Sequence, residues 1–187
     1  LHTDFKISNN EYIYLYNPAG AIIDSIYTDY LQVNQVRARI PDAGGWCYAE
    51  TSTPLAANAG TCYSGYAESP VITTNPGFYD GSVDVTVTGT EIYYTTDGSN
   101  PEPGGTLYTA PITFSNTGVL KAIQVETGKL PSPVVTGSYF IDEPITLPVI
   151  SVIGDPCDLF NEGPDCIGAY DNAEGWFNHN PKISVAV

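Results

Sequence analysis

The chain has 187 residues, room for one ordinary domain or two small ones, and its 18 Gly, 15 Pro and 14 Tyr stand beside only 6 Lys and Arg. The 21 acids leave a formal charge of −15, which excludes a nucleic-acid backbone partner, because such a surface needs clustered cations to release counterions, and also excludes docking on an anionic membrane. No apolar run approaches the roughly 20 residues a membrane-spanning helix needs, so no membrane insertion is expected.

In chain order, the periodicity is that of strands. Glu11 to Tyr16 sets Tyr12, Tyr14 and Tyr16 on one face and Ile13 and Leu15 on the other, before Pro18-Ala19-Gly20 turns the chain into Ala21–Tyr27. Asn58 to Ser69 is poor in apolar residues and reads as a linker, placed at 61–69 between segments 1–60 and 70–141. Within 70–141, Val83, Val85 and Val87 alternate with polar residues. Ile92–Thr96, Thr106–Ile112, Val119–Val125 and Val134–Ile141 follow at intervals of about ten residues, each bounded by Gly, Pro, Asn or Asp. Asp142-Glu143-Pro144 breaks the pattern, and Leu147–Ile153 opens a third segment, 142–187. Only Ala169–Phe177 and Asp158–Asn161 have room for a helical turn. The expected class is all-β: two consecutive sandwich modules, then the opening strands of a third domain. With no Met even at residue 1, the chain is expected to be a processed product or a fragment.

Four cysteines form two sequence-local pairs, Cys47 with Cys62 and Cys157 with Cys166. Neither has C-x-x-C spacing and no His lies beside them, which disfavours zinc. Each pair would close a short loop with little core of its own, so disulfides are expected and free buried thiols are the alternative. Disulfides, acidity and few Lys place the chain outside the reducing cytosol, secreted or on the cell surface.

Catalytic chemistry is not expected of this segment. His2 and His179 lie in terminal or turn sequence, and Gly44-Gly45 and Gly104-Gly105 are turn pairs rather than phosphate cradles. The acids Asp155, Asp158, Glu162 and Asp165 are the candidate metal ligands. Hard cations want several oxygens converging from one loop, so calcium is the cation to consider and a solvated acidic loop is the alternative. No other cofactor is implied. The Tyr12, Tyr14, Tyr16 stripe, with Trp46, Trp176 and Phe177, could stack on sugars, though aromatic stripes on strands ordinarily pack a core or sheet. Ser25, in Asp24-Ser25-Ile26, fits a short pattern for O-linked glycan attachment.

Three resemblances then appear. FYDGSVDVTV, IYYTTDGSNPEP, LYTAPITF and LKAIQVETGKLPSPVVTGSYF, in that order, resemble the chitobiase/β-hexosaminidase C-terminal module, also called the fibronectin type III-associated repeat. The resemblance covers 70–141 and implies an immunoglobulin-like accessory domain without catalysis. HTDFKISNNEYIYLYNPAGAIIDSIY, then Arg39–Gly45, Trp46 and TSTPLAANAG, resembles the C-terminal half of a lamin-tail-type domain, implying an immunoglobulin-like sandwich lacking its opening strands. LPVISVIGDPCDLFNEGPDCIGAYDNAEGWFNHNPKISVAV resembles the opening of a CotH-like kinase domain, whose ligand-bearing residues would lie beyond it. Together they imply a non-catalytic segment of a large bacterial surface protein with a structural, adhesive or filament role. Its expected partners are other protein segments or copies of itself, with glycans as a further possibility. The alternatives are an accessory part of a CotH-like kinase and a carbohydrate-binding module.

Overall fold

The structure is a computed structural model that describes residues 7–32 and 35–154, together with the backbone of three short strands at 170–171, 176–177 and 184–186. Contacts divide the chain into two compact units, Leu1–Cys62 and Tyr63–Val187. The described residues hold strands and turns and no helix; the class is all-β.

The first unit has two antiparallel hairpins. β1 (Tyr12–Tyr16) pairs with β2 (Ile22–Tyr27), and β3 (Val36–Arg39) pairs with β4 (Trp46–Ala49). Asn17 builds the first turn: its side-chain oxygen accepts from the N–H groups of Ala19 (3.0 Å) and Ala21 (2.9 Å), and Gly20 takes φ +81°. The register slips between Leu15 and Tyr16, so Tyr16 faces Ile22 and Ile23 becomes the extra residue of a bulge. In the second hairpin a Cβ on Gly44 would meet the Pro41 carbonyl oxygen at 2.7 Å, so this turn closes only around a glycine. Cys47, on β4, is disulfide-bonded to Cys62 with 5.4 Å between Cα atoms, as the pairing by proximity in sequence anticipates.

The second unit carries a five-stranded sheet in the order β10 (Thr106–Leu107), β9 (Glu91–Thr95), β12 (Gly118–Val125), β13 (Val135–Ile141), β6 (Gly77–Tyr79), antiparallel except for the β13–β6 pair. Two small sheets face it: β11 (Ile112–Phe114) with β7 (Val83–Val85), and β5 (Val71–Ile72) with β8 (Val87–Thr88). Ile92, Leu120, Ala122, Tyr139 and Ile141 from the large sheet meet Val85, Val87 and Phe114 from the small ones in one buried core, the layered arrangement of a sandwich.

Two expected strands are each split. Val83 to Val87 is broken at Thr86, whose N–H donates to the Thr74 hydroxyl (3.0 Å) and whose carbonyl accepts from Thr73 (2.9 Å). The chain thereby changes partner from β11 to β5 while Val85 and Val87 both stay buried. Thr106–Ile112 likewise divides, β10 pairing with β9 and β11 pairing with β7, as the chain crosses between layers at Pro111.

Residues 63–67, in the stretch whose composition suggests a linker, run beside Gly128–Leu130. Tyr66 bridges Leu130 in parallel, Ala67 N–H donates to the Leu130 carbonyl (2.8 Å), and Leu130 N–H donates to Gly65 (2.8 Å). Composition missed this because the stretch contributes backbone groups and one small buried side chain, Ala67. The third segment starts shorter than expected, as β14 (Ser151–Ile153), with Leu147 and Ile150 exposed. β14 pairs with β17 (Ser184–Ala186). Of the two stretches with room for a helical turn, Asp158–Asn161 lies outside the described residues, and within the other β15 (Tyr170–Asp171) pairs antiparallel with β16 (Trp176–Phe177), in keeping with the β preference of its aromatics.

Tyr139 is the keystone of the sandwich. Its ring lies 5.2 Å from that of Phe114, and its hydroxyl donates to the Thr74 carbonyl at 3.0 Å. Burial, and secondarily Tyr79, push its pKa up to about 12. The neutral phenol is therefore favoured in the folded state. Its contribution is complete below the unfolded value of about 10 and is lost as pH rises towards 12. Tyr139→Phe should cost about 1 kcal/mol at neutral pH, the worth of the lost hydrogen bond. It should also flatten the loss of stability above pH 10 relative to the parent, as measured by urea titrations across pH.

Candidate functional site

The face of β1–β2 that carries Tyr12, Tyr14 and Tyr16 is the most distinctive surface of the first unit. Cross-strand pairing sets Tyr27 opposite Tyr12 and Ser25 opposite Tyr14, so all five residues share one side of the hairpin. The rings form a continuous row. Tyr12 and Tyr14 have centroids 5.6 Å apart and planes within 19° of parallel, Tyr14 and Tyr16 are 6.1 Å apart, and Tyr27 lies 4.9 Å from Tyr12. These side chains are not core. Tyr12, Tyr14, Tyr16 and Tyr27 are 59, 45, 53 and 40% exposed.

The opposite face explains why. There Ile13 and Ile26 line a cavity of about 440 Å³ together with Leu31, Val36 and Trp46, and Asp24 reaches β3. The Asp24 carboxylate accepts from the Arg39 guanidinium at 2.6 Å; the same guanidinium donates to the Gly44 carbonyl (2.7 Å) and lies 4.7 Å over the Trp46 ring. A parallel arrangement holds the neighbouring pair. Arg37 lies 4.6 Å over the Tyr48 ring, and the Tyr48 hydroxyl accepts from Arg37 (3.3 Å) and donates to Asp29 (2.7 Å). The Asp24–Arg39–Trp46 contact thus fastens the inner face of the hairpin to β3–β4, the Asp29–Arg37–Tyr48 contact holds the segment just after β2, and the tyrosines are left on the outer face. Trp46, a candidate sugar platform in the sequence, has one ring face covered by Arg39.

Asp29 is held below the usual carboxylate range, first by the Tyr48 hydroxyl, then by the Tyr30 N–H and the charge of Arg37. Its contribution is present above the unfolded carboxylate value and fades as pH falls through the lower folded one. Ser25 is exposed, and its N–H donates to the Asp24 carboxylate at 2.9 Å.

Asp155, Asp158, Glu162 and Asp165, the pair Cys157 and Cys166, and both histidines lie outside the described residues. Among the described residues no cluster of three or more His, Cys, Asp or Glu is placed to hold a metal. In the second unit, Asp97 accepts from the Ser99 N–H (3.0 Å) and hydroxyl (2.6 Å), and Gly98 takes φ +87°, so the polar turn forms as its residue types require. Beneath it Lys121 is buried and donates to Asn100 Oδ1 at 3.1 Å. These groups hold a turn together; a shallow pocket of about 330 Å³ beside it is lined by Asp97, Thr117, Ser138 and Ser151.

The sequence pattern places the tyrosine stripe on one face but does not by itself join Tyr27, Arg37, Arg39 and Asp29 to it. The signal for the arginines was there: Arg37 and Arg39 alternate on one strand as Trp46 and Tyr48 alternate on the next.

Comparison with known proteins matches residues 83–139 to the family described as Fn3 associated. No curated protein and no solved structure matches the chain. Residues 83–139 are thus similar to modules of the fibronectin type III-associated kind, which are accessory β-domains.

Arg39→Ala should destabilise the first unit by about 2 kcal/mol, summing a partly exposed ion pair, a stacking contact and a hydrogen bond. Arg39→Lys should recover only part of this, since an ammonium cannot bond two oxygens in a plane while stacking. Denaturant unfolding of the variants, read by Trp46 fluorescence, checks both values.

Proposed function

We propose that this chain is a non-catalytic β-module segment of a larger secreted or cell-surface protein, serving as a rigid structural and presenting element. What carries the reading is the fate of the Fn3-associated residues. Within 83–139 the apolar side chains Val85, Val87, Ile92, Phe114, Leu120 and Tyr139 are consumed by the sandwich core. The polar ones close turns, as Asp97 and Ser99 do. What is left is a stable spacer whose type accompanies other domains in carbohydrate-active proteins.

The disulfide supports an oxidising compartment, since such bonds persist outside the reducing cytosol. In this reading residues 1–60 are the C-terminal half of a lamin-tail-type sandwich, and 142–187 open a CotH-like domain. Two exposed-edge hairpins in the first unit accord with a sandwich that pairs with further strands.

Protease treatment of intact cells that make the protein tests the location. The expected product is a disulfide-linked peptide pair containing Cys47 and Cys62, released without lysis. Recovery of both cysteines only as free thiols in the cytosolic fraction would overturn the reading. In the purified chain Cys62→Ser should lower stability by about 3 kcal/mol, the chain-entropy value for a loop of this length, as read by denaturant titration without reductant.

A further inference from the structure

We infer that the outer face of the β1–β2 hairpin binds a neutral, hydroxyl-rich polysaccharide chain, with Tyr12, Tyr14, Tyr16 and Tyr27 as the aromatic surface and Ser25 as a flanking hydroxyl. The inference rests on the extracellular accessory role proposed above and names its ligand class.

Exposure comes first. The outer face of an antiparallel layer is ordinarily polar, and isolated apolar residues on a surface are unremarkable. Four adjacent phenols are different: they form one continuous patch of the kind that marks a binding surface. Tyrosine supplies large contact area at low conformational-entropy cost, which is why it recurs in recognition surfaces. The hydroxyls of Tyr12, Tyr14 and Tyr16 make no hydrogen bond within the described residues, and Tyr27 donates to Asn10 Oδ1 at a long 3.4 Å. The face thus keeps its donors and acceptors for a ligand.

Charge then selects the ligand. Tyr12, Tyr14, Tyr16, Ser25 and Tyr27 are all uncharged, and Asp24, the nearest acid on β2, belongs to the opposite face and is held by Arg39. A polyanion would meet no cation on this face and would be repelled by a chain of charge −15. A second copy of the chain would bring the same charge against itself. A neutral sugar polymer meets neither obstacle. Its C–H groups pack against the exposed parts of the rings, and its hydroxyls exchange bonds with the phenols.

Shape narrows the choice further. The rings recur along the strand axis at 5.6 and 6.1 Å, a near-constant interval that suits a linear repeating ligand more than a compact one. Several weak contacts along one chain add through effective concentration.

The test is affinity electrophoresis of the purified chain in native gels containing soluble neutral polysaccharides (hydroxyethyl cellulose, xyloglucan, galactomannan), with polygalacturonate as the anionic control. Retardation is expected in at least one neutral gel, unchanged by 0.5 M salt and absent with polygalacturonate. Tyr14→Ser should weaken it at least tenfold and Tyr12→Ser several-fold. Leu107→Ser, an exposed apolar position in the second unit, should leave it unchanged. A readout independent of any variant is nitration of the parent chain by tetranitromethane: the bound polysaccharide should protect Tyr14 and leave the exposed Tyr30 reactive.

Absence of retardation in every neutral gel overturns the inference. So does retardation by polygalacturonate that salt abolishes, or retention that survives Tyr14→Ser. Concentration-dependent dimerisation lost in Tyr14→Ser would assign the face to a second copy and equally overturn it. A chain that fails these tests while its disulfide-linked peptides are still shaved from intact cells sinks the ligand alone. Cytosolic, reduced protein sinks the role beneath it.

Discussion

The first unit depends on two cations. Arg37 and Arg39 stand two residues apart on β3, each against an aromatic ring of β4 and each paired with an aspartate, Asp29 just after β2 and Asp24 on β2. Individually such contacts are modest, since partly exposed ion pairs and stacking contribute about 1 kcal/mol or less apiece. Their weight comes from the poverty of the alternative. The buried apolar residues of this unit are few, with Cys47, Tyr48 and Ala49 clustered on β4. A unit that cannot bury enough apolar surface leans on its disulfide and on directional contacts. Because a strand has two faces and a hairpin must choose one, the arginines decide more than stability: they decide which side of β1–β2 is turned outward.

The second unit solves the same problem in the ordinary way. Its large sheet and two small ones enclose a core with an aromatic centre, where Tyr139 meets Phe114 and Tyr79. Threonine hydroxyls do the joinery. Thr74 satisfies Thr86 where the strand changes layer, and Thr117 accepts from Ile141 at the end of β13. With polar side chains spent on unpaired backbone groups, which are costly to leave unsatisfied, the module has the economy of a spacer.

Most strands were legible in the sequence because their hydrophobic period is unambiguous: Ile92–Thr96, Val119–Val125 and Val134–Ile141 each lie within a residue or two of β9, β12 and β13. Strand partners were not. Nothing in Val83-Asp84-Val85-Thr86-Val87 says that pairing switches at Thr86, because the switch is made by Thr73 and Thr74, ten or more residues away. β3 and β4 escaped notice since Arg37 and Arg39 alternate with small residues instead of standing on a polar face. The polar turn at Asp97-Gly98-Ser99, by contrast, was readable in full, because its geometry is local to three residues.

The tyrosine stripe marks the limit of what pattern alone can decide. Tyr12-Ile13-Tyr14-Leu15-Tyr16 alternates between two apolar faces, so period identifies the strand and leaves its orientation open. β-Branched and aromatic residues are equally at home on a pleated surface, and the aromatic face, being larger, is the natural guess for the core. Asp24 breaks that tie. It shares a side with Ile13 and Leu15 through the register of β2, and its ion pair with Arg39 draws that side inward. Ile13, Asp24 and Ile26 on the smaller apolar face are half-buried because that face carries the charge that β3 can satisfy, while Leu15 near its end stays 58% exposed. The larger one is left in solvent, with Tyr12, Tyr14, Tyr16 and Tyr27 all exposed.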